Sequence, residues 1–219
     1  TLPIAETPEQ APALAALPRI LEFVSGKDAL AMGPGITTGA ETAALVKELV
    51  TKVACPMVLD ADAITVLADE PEILKKAAAP LVLTPHPGEM ARICRCSTAD
   101  VQQNRMEKAS AFSRDYGVVL VLKGHRTLIA APDGRLAVNS TGNPAMASGG
   151  MGDSLTGIIA SFLAQGFDPF RAACLGVFVH GAAADAAIGK VASRGLLATD
   201  MLGEIPRVIG RLEGFQQEP

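Results

Sequence analysis

Residues 139–153 read Asn-Ser-Thr-Gly-Asn-Pro-Ala-Met-Ala-Ser-Gly-Gly-Met-Gly-Asp, and this glycine-rich stretch joins a predicted strand to a predicted helix. The helix is predicted because apolar residues recur at helical spacing after it: Leu155, Ile158, Ile159, Phe162 and Leu163. A loop of this kind leaves backbone N–H groups free at the positive end of the helix dipole. The stretch therefore predicts a phosphate site, although it lacks the GKS or GKT ending of a Walker A motif.

Asp153 begins the predicted helix directly behind these glycines. One interpretation is an acidic residue that only interacts with the helix dipole. The other is a catalytic base that faces a bound phosphate and accepts a proton from a substrate hydroxyl as its oxygen attacks phosphorus. The three glycines at 149, 150 and 152 favour the catalytic interpretation.

Working outward from this stretch, short apolar strands alternate with helical patterns, which predicts an α/β fold with a mostly parallel sheet covered on both faces. Thr38 with Glu41 predicts a capping box, and residues 98–116 predict one long helix that ends at Gly117. Asp133-Gly134 predicts a hairpin, and hence an antiparallel edge of the sheet. The predicted strands are 29–32, 57–60, 81–84, 118–123, 127–131 and 136–139.

Several segments that follow these strands carry polar groups. His86 lies between two prolines after the third strand, at the edge where open parallel sheets bind ligands, and the alternative is a structural turn. Glu89 either takes part in a Mg²⁺–phosphate network or caps the next helix. Asp60 and Asp62 could hold a metal ion or water, while one of them could equally be a helix cap. The metal ligands therefore stay open.

Two further strand ends and one helix complete the set of candidates. Gly33-Pro34-Gly35 is a weak dinucleotide fingerprint because GPGITTG is not GxGxxG. Lys123 could act as a point charge near phosphate, or lie solvated in a hairpin. His180 and Asp185 are five residues apart on an alanine-rich helix, which does not place them on one face, so we interpret them mainly as structural.

Composition narrows the class of protein. Hydrophobic residues make up 49% of the 219 residues and charged residues 19%, so we expect extensive burial and possible subunit contacts. The net charge of −4, with no basic block, argues against nucleic-acid binding. The scattered cysteines indicate reduced thiols, and no run of about 18 apolar residues predicts a membrane span. We expect a soluble, cytoplasmic protein.

Six segments together resemble one enzyme family, the ADP/ATP-dependent NAD(P)H-hydrate dehydratases of the ribokinase-like superfamily. The most specific is GNPAMASGGMGDSLTGIIASFLAQG at 142–166, because GGxGD alone would indicate only the superfamily. The others follow in the same order as in the family, from residue 33 onward: GPG at 33–35, LDADAITVLA at 59–68, LTPHPGEMARI at 83–93, VLKGHRT at 121–127 and HGAAAD at 180–185.

The resemblance implies a ribokinase-like three-layer α/β/α sandwich and a nucleotide-dependent removal of water from the S epimer of hydrated NADH or NADPH. ADP or ATP and Mg²⁺ are the implied cofactors. Asp153 matches the catalytic base, and Gly35, His86 and Asp153 match the substrate site. The implied nucleotide-binding residues are Lys123, Gly124, His125, Arg126, Thr127, Asn143, Pro144, Ala145, Met146, Ala147, Ser148, Gly149, Gly150, Met151 and Gly152.

Two alternatives remain open. A kinase of the same superfamily, acting on a vitamin-precursor alcohol, would share the phosphate loop and the base, but the PHPGE segment and the long GNPAMA loop argue against it. A catalytically silent nucleotide-binding protein is the other, and the presence of both Lys123 and Asp153 argues against that.

The resemblance also carries expectations about organisation. We expect residues 1–219 to form a single dehydratase domain that is incomplete at its N-terminus, because residues 1–27 contain no glycine-rich strand–helix unit. We expect a homo-oligomer, a tetramer by resemblance, that works with a separate NAD(P)H-hydrate epimerase. No nucleic acid or membrane partner is expected.

Overall fold

A six-stranded sheet organises the computed structural model, which describes residues 1–188 and 195–214. The strands lie in chain order from one edge to the other. The first four run parallel, the fifth pairs antiparallel with the fourth, and the sixth pairs antiparallel with the fifth. The strands are β1 Leu30–Met32, β2 Met57–Leu59, β3 Leu81–Leu83, β4 Val119–Leu122, β5 Leu128–Ala130 and β6 Leu136–Val138.

The mostly parallel sheet and its antiparallel edge confirm the prediction made from the alternating pattern. β2, β3 and β4 are buried along their whole length, as expected of strands with helices on both faces. The Asp133-Gly134 turn lies between β5 and β6, and Gly134 has a φ of 94°, which a glycine adopts without strain.

Helices cover both faces of the sheet and produce the predicted three layers. One layer contains α1 to α6 and the other contains α7 and α8, while two short helices pack beside α8. The helices are α1 Leu17–Val24, α2 Ala40–Lys52, α3 Ala61–Leu67, α4 Pro87–Ile93, α5 Thr98–Gln103, α6 Arg105–Tyr116, α7 Met151–Ala164, α8 Pro169–Ile188, α9 Ala198–Leu202 and α10 Ile205–Leu212.

Side-chain alternation along the strands divides the core in two. Met57 and Leu59 point towards α2 and α3, whereas Val58 between them points towards α7. The same division holds in β4, where Leu120 and Val121 lie on opposite faces. Because both faces are packed, the polar ends of the strands are left as the place where a ligand can bind.

The predicted capping box at Thr38 and Glu41 is wrong. Helix α2 begins at Ala40, and its N-cap Gly39 has no side chain that could accept a hydrogen bond. The Glu41 carboxylate instead accepts a hydrogen bond from the Leu14 amide at 2.9 Å and so holds the N-terminal segment.

The long helix predicted over residues 98–116 is divided. Asn104, with φ −121° and ψ 36°, separates α5 from α6, so the helical hydrogen-bond ladder is interrupted there. The predicted end at Gly117 is confirmed by its left-handed φ of 69°. The interruption places Arg105 at the start of α6, where its side chain reaches the end of β4.

Helix α8 is long and apolar enough, by length and composition alone, to cross a membrane, although the sequence predicted no such helix. In its most apolar 18-residue window, 56% of the residues are buried inside the protein. They pack on α7 and on the sheet through Ala172, Ala173 and Val177. A core helix passes the same test of length and composition.

Candidate active site

The four parallel strands end side by side, and main-chain hydrogen bonds join the segments that follow them. The Asp60 amide donates to Met32, the Thr84 amide to Leu59, and the Lys123 amide to Pro85. The residues that the sequence singled out after separate strands are therefore brought to one edge. That edge is also where open parallel sheets place their ligands.

A buried ion pair lies at the centre of this edge. The Lys123 Nζ atom is 2.7 Å from Asp60 Oδ1, and Thr156 of α7 donates its hydroxyl to Asp60 Oδ2 at 2.9 Å. Burial alone would raise the pKa of the Asp60 carboxyl, but the Lys123 charge and the hydrogen bonds from Lys123 and Thr156 hold that pKa below its ordinary value. Asp60 is therefore an anion that fixes Lys123.

The structure shows where the charge of Lys123, predicted to act near phosphate, lies. Its ammonium group is also 3.9 Å from Glu89 Oε2, and a Cβ placed on Gly152 would lie 3.6 Å from it. Lys123 therefore lies beneath the N-terminus of α7, where the predicted phosphate loop ends. The alternative of a solvated hairpin lysine does not fit a side chain that is 19% exposed and paired with Asp60.

Glu89 caps helix α4, which is one of the two interpretations of this residue. Its Oε2 atom accepts a hydrogen bond from the His86 amide at 2.7 Å, and Oε1 lies 3.4 Å from His86 Nε2. This is a capping box in which His86 is the N-cap. A role of Glu89 towards Mg²⁺ stays a prediction.

The cap fixes how the His86 imidazole is presented. Its Nδ1 atom accepts hydrogen bonds from the amides of Gly88 at 3.0 Å and Glu89 at 3.2 Å. An acceptor nitrogen carries no proton, so the neutral ring must carry its proton on Nε2. The His86 side chain is 56% exposed, and its Nε2–H, with Glu89 Oε1 3.4 Å away, lies at the carboxyl edge of the sheet.

Asp60 and Asp62, the two acidic residues that follow β2, make different contacts. Asp60 pairs with Lys123, whereas Asp62 Oδ2 accepts a hydrogen bond from the Thr37 amide at 2.9 Å. Asp62 therefore holds the loop that follows β1. The sequence left open whether one of this pair is a helix cap, and neither carboxylate caps α3 through its side chain at the N-cap position.

Gly33 and Gly35 shape that loop after β1. A Cβ on Gly33 would collide with the Asp60 carbonyl oxygen, and the φ of 140° also requires glycine. Gly35 has a φ of 71° and open space around it, so a bound molecule can approach its backbone closely. The structure thus places Gly35 at the same edge as Asp60, while its contact with substrate stays a prediction.

The glycine-rich loop enters α7 in the way that the sequence predicted. Asn143 Oδ1 caps a 3₁₀ turn at Pro144–Met146 by accepting from the Ala145 amide at 3.1 Å. Gly150 is the N-cap of α7 and has a left-handed φ of 81°. In the part of the chain that the structure describes, the N-cap of α7 provides no side-chain cap for its first amides, and Gly152 in the first turn lies next to the Asp60–Lys123 pair. Ala147, Ser148, Gly149, Met151 and Gly152 complete this run.

Asp153 is exposed in the first turn of α7 and is one of the few polar residues that line a cavity of about 380 Å³, whose other walls are mostly apolar residues of the N-terminal segment, β1 and α2. Within residues 1–188 and 195–214, its carboxylate has no hydrogen-bond partner, so no contact there occupies it. This free carboxylate agrees better with a chemical role than with a helix cap. A second cavity of about 630 Å³ is lined by none of the predicted site residues.

Residues 123–127, the segment predicted to bind nucleotide, lie beside the start of the glycine-rich stretch. Gly124, His125 and Arg126 are exposed, and Arg126 has an unusual φ of 54°. The Thr127 hydroxyl donates to Gly124 at 3.0 Å, and the Thr127 carbonyl accepts from the Asn139 amide at 2.9 Å. The segment and the start of the glycine-rich stretch are therefore neighbours.

Sequence reasoning missed two residues of this site. Thr156 contacts Asp60 across 96 positions, and no local pattern indicates such a contact. Arg105 donates to the carbonyls of Leu122 at 3.1 Å and Lys123 at 3.5 Å, and burial lowers the pKa of its guanidinium. Arg105 could have been found only by predicting that the long helix is interrupted at Asn104.

His180 and Asp185 also reach this site, which the sequence did not predict. The His180 imidazole interacts with the Met151 backbone at the start of α7, and Asp185 bonds the amide of Gly142. Burial, the larger effect, lowers the pKa of His180 to about 4, so this ring is neutral near pH 7. Residues five apart on α8 thus contact opposite ends of one loop.

Comparison with known proteins shows which family the chain resembles. The family described as NAD(P)H-hydrate dehydratase matches residues 6–207. A bifunctional NAD(P)H-hydrate repair enzyme of Moorella thermoacetica is 46% identical over 97% of this chain, which covers 40% of that relative. The chain therefore spans less than half of that protein.

Two solved structures are similar in fold. The ADP/ATP-dependent NAD(P)H-hydrate dehydratase of Bacillus subtilis, co-crystallised with ATP and Mg²⁺, superimposes with a TM-score of 0.75 at 37% identity, over 84% of this chain and 64% of that one. A ribokinase-like superfamily protein of Enterococcus faecalis gives a TM-score of 0.74 at 27% identity, over 94% and 69%. The fold is ribokinase-like, and the chain belongs to the NAD(P)H-hydrate dehydratase family.

Proposed function

We propose that this chain removes water from the S epimer of hydrated NADH or NADPH, with ADP converted to AMP and phosphate or ATP used in the same way. The observation that carries the proposal is the position of Asp153. Asp153 follows Gly152 in the first turn of α7, its carboxylate has no hydrogen-bond partner among the described residues, and it lines the cavity of about 380 Å³. A base in this place would lie beside the proposed phosphate site and would be exposed to a hydroxyl-bearing substrate.

The proposed reaction starts with proton transfer. Asp153 takes the proton of the substrate hydroxyl while that oxygen forms a bond to the terminal phosphorus, and the bond from phosphorus to the rest of the nucleotide breaks. Backbone amides of residues 149–152 stabilise the charge that develops on the phosphoryl oxygens. The Lys123 ammonium lies beneath these amides and adds a fixed positive charge.

The second stage is elimination. Phosphate is a far better leaving group than hydroxide, so the phosphorylated carbon loses phosphate and the neighbouring carbon loses a proton. The double bond of the dihydropyridine is thereby restored. The Nε2–H of His86 would donate a hydrogen bond to the hydrated nicotinamide, and the open backbone at Gly35 would lie against it.

Mg²⁺, when bound, would shield the phosphate charges. Among residues 1–188 and 195–214, no group of three metal-ligating side chains is present. That agrees with an ion that arrives on the nucleotide, because Mg²⁺ commonly binds substrate phosphates and water with only one or two carboxylates. The Lys123 ammonium lies 2.7 Å from the Asp60 carboxylate and 3.9 Å from the Glu89 carboxylate, so Glu89 is the less closely paired of the two.

Product analysis tests the proposal against its two alternatives. The chain is incubated with purified S-epimer NADH hydrate and with ADP or ATP, and the products are separated. We expect NADH together with phosphate. A stable phosphorylated alcohol from a vitamin precursor would instead indicate a kinase, and nucleotide binding without turnover would indicate a silent binding protein.

We also propose an organisation around this activity. Residues 1–219 would form a single dehydratase domain, located in the cytoplasm and supplied with the S epimer by a separate epimerase. The chain would also form a homo-oligomer, and light scattering would test for the expected tetramer.

A further inference from the structure

The start of the glycine-rich stretch is fastened to helix α8 by one carboxylate. Asp185 Oδ2 accepts a hydrogen bond from the Gly142 amide at 2.8 Å, and Oδ1 accepts one from Asn143 Nδ2 at 2.7 Å. Both oxygens are thus used on two successive residues of the loop. Such charge-assisted hydrogen bonds are stronger than neutral ones.

The two bonds themselves are exposed, but the backbone beside them packs closely on α8. The Thr141 hydroxyl donates to the carbonyl of Phe178 at 3.0 Å. A Cβ on Gly181 would collide with the Thr141 hydroxyl and would lie 2.9 Å from the Gly142 nitrogen. The loop therefore lies directly on the backbone of α8, and the glycine at 181 is required for that approach.

The fastening continues along the loop. Asn143, whose amide group is held by Asp185, uses its other side-chain atom to cap the 3₁₀ turn through the Ala145 amide. At the far end, His180 of the same helix interacts with the Met151 backbone. Helix α8 consequently sets where the loop begins and where α7 begins.

We propose that Asp185 is a positioning residue for nucleotide binding. It holds Gly142 and Asn143 so that the loop reaches Gly149–Gly152 with its amides already arranged for phosphate. A loop that is ordered before binding loses less conformational entropy when the nucleotide arrives, and affinity rises accordingly. This inference rests on the proposed function, since it takes the ligand of the loop to be ADP or ATP.

The test uses three variants of the chain. Asp185→Asn keeps the shape and one acceptor, but its amide group then faces the amide group of Asn143, so one hydrogen bond is lost. Asn143→Asp combined with Asp185→Asn exchanges the two side chains and can re-form all three hydrogen bonds. Asp168→Asn is the control, because Asp168 holds the N-terminal end of the same helix through the Arg171 amide at 3.3 Å.

Two readouts separate positioning from general stability. Calorimetry with ADP should give a dissociation constant about tenfold higher for Asp185→Asn, the effect expected of one lost charge-assisted hydrogen bond, and an unchanged one for Asp168→Asn. Hydrogen exchange without nucleotide should be faster over residues 142–147 in Asp185→Asn. In the double variant Asn143→Asp/Asp185→Asn, hydrogen exchange over these residues should return to the wild-type rate.

The outcomes are distinct. Wild-type affinity in a folded Asp185→Asn variant would overturn the inference, as would an equal loss in Asp168→Asn or failure of the exchanged pair to slow hydrogen exchange. Failure of the wild-type chain to bind ADP or ATP would contradict the proposed function and, with it, the nucleotide role of Asp185. Wild-type binding with a selective loss in Asp185→Asn supports both.

Discussion

Lys123 and Asp60 form a buried ion pair, with 2.7 Å between Nζ and Oδ1 and the Asp60 residue only 1% exposed. The two residues follow different strands, so the pair joins β2 to β4 at the edge that carries the candidate site. Thr156 adds α7 to the same group. The N-terminus of α7 is therefore fixed relative to the sheet by charge as well as by apolar packing.

Breaking this pair should destabilise the fold more than breaking an exposed one. Lys123→Met leaves the Asp60 carboxylate buried and uncompensated, which costs about 3–5 kcal/mol of unfolding free energy. Lys47→Met, which removes an ion pair with the 64% exposed Glu70 side chain, should cost about 1 kcal/mol or less. Urea unfolding measures both.

A double-mutant cycle provides the control for that prediction. In Asp60→Asn combined with Lys123→Met, the uncompensated charge is gone, so the loss should be smaller than the sum of the two single losses. Additive losses would show that the two side chains do not interact in the folded protein.

His180 should make the protein less stable in mild acid. Its pKa is lowered by burial to about 4 in the folded chain, compared with about 6.5 when unfolded. Below about pH 6.5 the unfolded chain therefore binds a proton that the folded chain refuses until about pH 4. Stability should fall by up to about 3 kcal/mol across this window as the pH decreases.

The comparison is with His180→Phe, which fills similar space without titrating. Its unfolding free energy should vary less between pH 6.5 and pH 4 than that of the wild type. The lowered pKa of Asp60 acts separately, because the stability it contributes is present above the unfolded carboxyl pKa and is lost only at still lower pH. Identical pH profiles for the two proteins would remove His180 as the cause.

Two substitutions of His86 should separate its structural role from its donor role. His86→Asn keeps an N-cap acceptor but loses Nε2–H, so stability should change by less than about 0.5 kcal/mol while kcat/KM falls about tenfold or more. His86→Gln retains a distant N–H donor and loses the cap, at a cost of about 1 kcal/mol. Thermal unfolding and dehydratase kinetics distinguish them, and full activity in His86→Asn would exclude use of the donor.

Gly150→Val should weaken nucleotide binding without unfolding the chain. A β-branched side chain resists the φ of 81° and obstructs the backbone approach to phosphate. Gly166→Val is the matched control, since Gly166 has a φ of 86° just beyond the opposite end of α7. Calorimetry with ADP should show a loss of affinity only for Gly150→Val, and equal affinities would mean that the phosphate binds elsewhere.

The sheet and the loop before α7 were predictable because their signals are local. Strands buried on both faces read as short apolar runs, such as residues 81–83, and each ends in a polar or glycine-rich segment. The hairpin turn at Asp133-Gly134 and the helix end at Gly117 depend on backbone conformations that glycine adopts readily.

What could not be predicted depends on contacts between distant residues. Thr156 and Asp60 are 96 positions apart, and Asp185 and Gly142 are 43 apart. The face argument that made Asp185 merely structural considered its helix alone. It did not reveal that the loop spans two faces of α8, so that residues five apart each contact one end of it.

Whether Asp153 is the base that couples NADH formation to phosphate release can be measured directly. Wild-type chain and Asp153→Asn are given S-epimer NADH hydrate with ADP or ATP, while absorbance and phosphate are followed together. We expect equimolar NADH and phosphate from the wild type and from the control Asp133→Asn. For Asp153→Asn we expect retained nucleotide binding with turnover slower by about 10²–10⁴. NADH formed without phosphate release, or near-normal turnover in folded Asp153→Asn, would contradict these expectations.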